Sequence, residues 1–191
     1  MTETINTLLS LEGRNAMVLG GAGHIGAVAC RTLQELGANV HAVDNDDARL
    51  KTLVSDLADS GATLRGTAVD LADDHALTRL IEAEDSLDVL LHCAAFVNQG
   101  NVPGYASGLE NQTIAAWKKA VEVNMTSALA ATQAAAPALR RSGKGSILFI
   151  GSIYGLVGPD MRLYEGLEMG NAAAYAASKG GMMQLAKWLS T

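Results

Sequence analysis

Tyr175 and Lys179 stand four residues apart in a stretch that reads as the last helix, beginning near Ala172. Residues at that spacing share one face of a helix. A free tyrosine has a pKa near 10, too high for a base at neutral pH. Lowering it by about three units takes about 4 kcal/mol of preferential stabilisation of the phenolate. A nearby ammonium group is one source. The pairing therefore points to proton transfer by the phenol. Taken singly, Tyr175 reads as well as a half-buried packing residue, and Lys179 as a solvated one.

A second constellation lies near the N-terminus. Gly20, Gly23 and Gly26 recur at intervals of three, after the apolar run Asn15 to Leu19. The first glycine permits a tight turn, and the second lets backbone approach a pyrophosphate. The third lets the following helix pack closely on the strand. His24 and Ile25 stand inside this turn and belong to the candidate cradle. Asp44 lies 18 residues beyond Gly26. A carboxylate there accepts hydrogen bonds from the adenosine ribose and repels a 2′-phosphate. No Lys or Arg occurs between Val40 and Ala48. The expected cofactor is NAD, with NADP less favoured.

These residues need elements to hold them. Asn15 to Leu19, Val40 to Val43, Leu64 to Val69, Leu87 to Cys93 and Ser146 to Ile150 read as strands. Between them the period is helical. Ile25, Val28, Ala29, Leu33 and Leu36 mark one face, closed by Gly37. Asn45 or Asp46 can cap a helix bearing Leu50, Leu53, Val54 and Leu57, with Gly61 after it. Asp73 or Asp74 can cap another bearing Leu77, Leu80 and Ile81. A long helical stretch from about Thr113 to Arg141 is predicted to break near Asn124 and to kink or restart at Pro137. Alternating strands and helices imply a doubly wound α/β fold, a parallel sheet with helices on both faces.

Six motifs in order resemble the short-chain dehydrogenase/reductase family over essentially the whole chain. They are the Leu19 to Gly26 turn, Asp70-Leu71, His92-Cys93-Ala94-Ala95, Asn124, Ser152, and Tyr175-x-x-x-Lys179. The resemblance implies a single Rossmann domain over residues 1–191 with strand order 3-2-1-4-5. It places Asp70 and Leu71 against the adenine and Ala94 and Ala95 beside the cofactor. It implies catalysis by Asn124, Ser152, Tyr175 and Lys179. Ser152 would hold the substrate oxygen, Lys179 would also fix the nicotinamide ribose, and Asn124 would hold a path from Lys179 to solvent. The reaction implied is an NAD-dependent interconversion of a secondary alcohol and a ketone.

The glycine turn and the 23-residue interval from Ser152 to Tyr175 are closer to the extended sugar-nucleotide branch. That likeness admits a sugar or sugar nucleotide as substrate and an epimerase or dehydratase as a second reading. Family members continue beyond the last helix with at least one more parallel strand. The resemblance therefore implies a chain incomplete at its C-terminus, with a catalytically weak nucleotide-binding module as a third reading. It also implies homo-oligomers, paired through helices near 113–141 and 172–191.

Composition bounds the rest. The 191 residues carry a net charge of −6, with 14 Lys and Arg spread along the chain. Such a chain is a poor ligand for nucleic acid or anionic membrane. Mean hydropathy is +0.16 and no apolar run is long enough to span a bilayer. Cys30 and Cys93 have no metal spacing and read as thiols in a reducing compartment, hence a cytoplasmic expectation. His24, His41, His75 and His92 are scattered, so no metal is predicted.

Overall fold

A computed structural model describes residues 5–58, 62–97, 102–167 and 169–191. A short helix, α1 (Ile5–Leu9), precedes β1 (Asn15–Leu19), α2 (His24–Glu35), β2 (Asn39–Asp44) and α3 (Asp47–Asp56). Then come β3 (Leu64–Ala68), α4 (Asp74–Glu82) and β4 (Val89–His92). After these stand α5 (Ile114–Val121), α6 (Ser127–Ser142), β5 (Ser146–Phe149) and α7 (Ala173–Leu189). The five strands form one parallel sheet in the order β3-β2-β1-β4-β5, as the family resemblance implied. Asn15 to Leu19 lie opposite Asn39 to Val43, and Ala16 to Leu19 opposite Val89 to His92. The predicted fourth strand is trimmed at both ends. Gly61, expected after α3, lies outside the described residues.

Two compact units are present. The first lies within residues 1–94 and 131–148, the second within 95–130 and 149–191. The first is organised by β1 and its neighbours. Met17, Leu19 and Leu90 are completely buried, and Leu77, Ile81, Ala131, Ala135 and Leu139 close over them. Burying each large aliphatic side chain contributes roughly 1.5–3 kcal/mol. Asp46 and Asp73 cap α3 and α4 by accepting from Arg49 N and Ala76 N.

Two expectations are corrected here. The first concerns α2, which buries Gly26, Cys30 and Gln34, while Ile25 and Val28 are exposed. Small residues let the helix sit close to the sheet, and this close approach overrides the apolar periodicity. The buried Gln34 amide nitrogen donates to the carbonyls of Leu57 and Ala62. The second concerns α6, which runs through Pro137 without a break. The ring removes one backbone donor, yet Ala131, Ala135, Ala138 and Leu139 are all buried along one face. That packing outweighs the loss of one hydrogen bond in a helix end exposed at Pro137.

The second unit is less regular. After α5 the helix widens into one π turn, Glu122–Thr126, before α6 begins. The predicted interruption at Asn124 is thus a π bulge inside a continuing helix. Tyr105, Ala116, Ala120, Ala172 and Ala174 form its core, with Phe96, Val102 and Tyr175 packed against it. Among the described residues, no helix is long and apolar enough to cross a membrane.

Candidate functional site

The glycine turn lies wholly in the first unit. Gly20 has φ +78°, in the left-handed region where a side chain is strained. A Cβ there would stand 2.6 Å from Ala94 N. A Cβ on Gly26 would collide with the carbonyl oxygen of Gly20. The chain after β4 is drawn in by the same backbone, since Cys93 N and Ala94 N both donate to Leu19 O. Gly23 is the N-cap of α2 and offers no side-chain cap. The first amides of α2 therefore have no side-chain cap, beside exposed His24 and Ile25. A cradle emptied of Cβ atoms at a helix N-terminus fits a pyrophosphate.

Asp44 ends β2. Its Oδ2 accepts from Ala22 N at 3.0 Å and its Oδ1 from Asp46 N at 3.2 Å. The carboxylate is thereby oriented by the glycine turn itself, while Asp46 does the capping of α3. Asp70 is exposed, and its Oδ1 accepts from Ala72 N. Leu71 is buried in the core, so its side chain is committed to packing and only its backbone can face a ligand. Gly20, Gly23, Gly26 and Asp44 together fit the adenosine and pyrophosphate half of a dinucleotide.

The catalytic candidates fall in the second unit. Tyr175 is half-buried on α7, and Lys179 follows one turn later, completely enclosed. The Lys179 ammonium lies 5.9 Å from the centre of the Tyr175 ring and donates to Ile150 O at 2.7 Å. Ser152, two residues past that carbonyl, opens a 3-10 turn, Ile153–Gly155, and its Oγ accepts from Tyr154 N. Gly155 docks this turn on α7. A Cβ there would come within 2.9 Å of Gly180 N and of the Lys179 carbonyl carbon.

Asn124 is completely buried in the π bulge. Its Oδ1 accepts from Phe96 N at 2.6 Å, and its Nδ2 donates to Ser178 Oγ at 2.9 Å. Ser178 Oγ donates in turn to Tyr175 O. The side chain thus braces the chain just past Ala95 against α7, one residue from Lys179. Its two bonds go to Phe96 and Ser178, while Lys179 is held by Ile150 O.

Tyr105 escaped the sequence reading. Its hydroxyl donates to Phe96 O at 2.6 Å, and the two rings meet edge to face at 5.0 Å. Burial, and then the neighbouring Tyr175, pushes the Tyr105 hydroxyl up to about 12. It therefore stays protonated and remains a donor. Nothing in the spacing of residues 95–112 signals this bond. Tyr154 and Tyr164 share a hydrogen bond that raises the Tyr154 phenol above its ordinary value.

A Gly-lined phosphate turn, an acidic residue at the end of β2 and a Tyr/Lys/Ser set beside α7 define a nicotinamide-dependent enzyme class. The profile described as short chain dehydrogenase matches residues 14–191, and the chain belongs to that family. It is 31% identical over 150 residues to 2,5-dichloro-2,5-cyclohexadiene-1,4-diol dehydrogenase LinX of Sphingobium indicum, covering 76% of this chain and 57% of the relative. It is 31% identical over 177 residues to 2-(S)-hydroxypropyl-CoM dehydrogenase 3 of Xanthobacter autotrophicus, covering 92% and 63%. Among solved structures it resembles a 3-oxoacyl (acyl-carrier-protein) reductase from Agrobacterium tumefaciens with NADP bound. The TM-score is 0.78 at 28% identity, over 95% of this chain and 65% of that one.

The chain thus spans about three-fifths of the length of these curated relatives. The family binds a nicotinamide cofactor. Structural neighbours carry NADP, so the matches by themselves do not favour NAD over NADP. The resemblance to the sugar-nucleotide branch is not carried by these matches.

Proposed function

We propose that the chain is an NAD-dependent oxidoreductase that interconverts a secondary alcohol and a ketone in a small-molecule substrate. The observation that carries this reading is the docking of the Ser152 turn on α7 beside Lys179, one turn from Tyr175. It gathers a hydroxyl, a phenol and an enclosed ammonium in one unit. When bound, the cofactor accepts a hydride from the alcohol carbon or supplies one to the ketone carbon. Ser152 Oγ holds the substrate oxygen. Tyr175 takes the hydroxyl proton in oxidation and returns it in reduction. Lys179 favours the phenolate by its charge, and the Ile150 carbonyl fixes the ammonium in place. The names of both curated relatives describe dehydrogenases of hydroxyl-bearing substrates.

The preference for NAD rests on Asp44, whose oriented carboxylate would repel a 2′-phosphate. Titration with NADH and NADPH should show tighter NADH binding, and Asp44→Ala should narrow the gap. Equal affinities in the unaltered chain overturn the NAD assignment. For the chemistry, NADH formation with a panel of secondary alcohols is the assay. Tyr175→Phe should leave NADH binding nearly intact and remove most turnover, because only the proton-transfer group is deleted. Retained turnover in that variant would require another acid.

A further inference from the structure

The first turn of α7 carries Tyr175 but lacks a cap of its own. A helix N-terminus leaves four backbone donors without intrahelical partners. Ser, Thr, Asp or Asn at the N-cap commonly satisfies one of them, and alanine cannot. Thr113 does this for α5, by accepting from Ala116 N. The N-cap of α7 is Ala172, with no side-chain bond. Tyr175 stands three residues on, and its amide donates to Ala172 O at 3.0 Å. The position of the phenol is therefore set by a turn that its own sequence leaves open.

We propose that Gln112 is a positioning residue for Tyr175, capping α7 from the loop before α5. This rests on the reading of Tyr175 as the acid/base. Gln112 Oε1 accepts from Ala173 N at 3.1 Å. Its Nε2 donates to Asn171 O at 3.0 Å and to Ser107 O at 3.1 Å. Both ends of one amide are thus spent on the entry to α7 and the loop beside it. The backbone is laced alongside, with Gly170 N donating to Ala106 O at 2.7 Å. A Cβ on Gly170 would stand 2.9 Å from Ser107 O, so this lacing needs glycine there. Below the polar strap, Tyr105, Ala116, Ala172 and Ala174 form the apolar wall on which Tyr175 packs.

Gln112 touches no reacting atom. It acts by holding the helix turn that aims the phenol, and small misplacements of a reacting group are costly in rate. Of the helices with a described N-cap, α3, α4 and α5 are capped by their own chain. In α7 the cap comes from 61 residues upstream. The residue is therefore invisible as a cap in the sequence.

The test compares Gln112→Leu, which removes all three bonds at similar volume, with Gln112→Glu, which keeps only the acceptor. Amide hydrogen exchange is read at Ala173 to Tyr175, with Met182 on the same helix as the internal reference. In Gln112→Leu, exchange at Ala173 to Tyr175 should rise by about five-fold or more relative to Met182. In Gln112→Glu, most of the Ala173 protection should return. Turnover should fall in Gln112→Leu at unchanged KM for NADH and recover in Gln112→Glu. Exchange is measured without any substrate, so absence of turnover in the unaltered chain would count against the proposed reaction and not against the cap. Unchanged exchange at Ala173 to Tyr175, or an equal rise along all of α7, overturns the proposal. Should Gln112→Leu not fold, Gln112→Glu decides alone, and loss of the Ala173 protection in it overturns the proposal.

Discussion

The unit that carries the glycine turn and the unit that carries Tyr175 solve opposite physical problems. In the first, function depends on what is absent. Gly20, Gly21 and Gly26 each leave a space that a Cβ would fill with clashes against Ala94, Ala42 and Gly20 respectively. In the second, function depends on braces. Asn124, Tyr105, Gln112 and Lys179 each place a side-chain hydrogen bond on a backbone group of irregular chain. A phosphate is gripped by backbone amides, so the chain must come close to it. A phenol must be aimed, so the backbone beneath it must be fastened. The two units should consequently fail in different ways when altered.

The largest expected effect lies in the first unit. Gly26→Ala should cost about 3 kcal/mol and abolish NADH binding, because the added methyl meets a backbone oxygen that no rotamer change can move. Gly158→Ala, in the second unit, has nothing within 4 Å of the new atom and should stay within about 0.5 kcal/mol. Urea denaturation with a parallel NADH titration checks both. A mild Gly26→Ala would mean that the turn and α2 are less tightly apposed than the comparison requires.

The second unit should fail by losing a brace. Asn124→Leu fills the same volume but orphans Phe96 N and removes the donor to Ser178 Oγ, which keeps its own bond to Tyr175 O. A buried donor without an acceptor costs roughly 1–3 kcal/mol. Stability should fall by about 2 kcal/mol and turnover should fall further than NADH affinity. Asn124→Asp, which keeps the acceptor for Phe96, should recover part of the stability. If NADH affinity fell as much as turnover, braces and cradle would not be separable functions.

The same contrast explains what was legible in the sequence. The α/β class followed from the alternation of strand-length runs with helical periods and the strand order from the family resemblance, while Gly20, Gly23, Gly26 and Asp44 could be picked out because spacing alone defines a turn after a strand. Tyr175 and Lys179 were legible for a similar reason, since i and i+4 share a helix face. Asn124 was legible as a helix interruption, but its bonds to Phe96 and Ser178 were not, because they join positions 28 and 54 residues apart. Tyr105 and Gln112 left no signal, since neither lies on a periodic element. Ile25 and Val28 misled the reading of α2, where closeness to the sheet favoured Gly26 and Cys30. Pro137 misled it too, because core packing of α6 overrode a local rule.

The smallest effect is one of pH, and it belongs to the first unit alone, which contains all four histidines. His41 on β2 is nearly buried. Its Nδ1 donates to Glu84 Oε1 at 2.8 Å, and its Nε2 accepts from the Thr67 hydroxyl at 2.8 Å. The neutral ring satisfies both bonds. Burial holds its pKa below the ordinary 6.5, the Arg65 guanidinium adds to this, and Glu84 opposes it without prevailing. The unfolded chain therefore binds the proton first as pH falls. Stability from this site is fully present above about 6.5 and is lost as pH drops from there toward the lower folded value. His41→Gln, which titrates no proton, should be less stable at pH 7.5 and should show a shallower loss between pH 7 and 5. Denaturant midpoints across that range measure it. Parallel pH profiles for the two proteins would show that His41 is not the group responsible, and that the acid response of the sheet has another source.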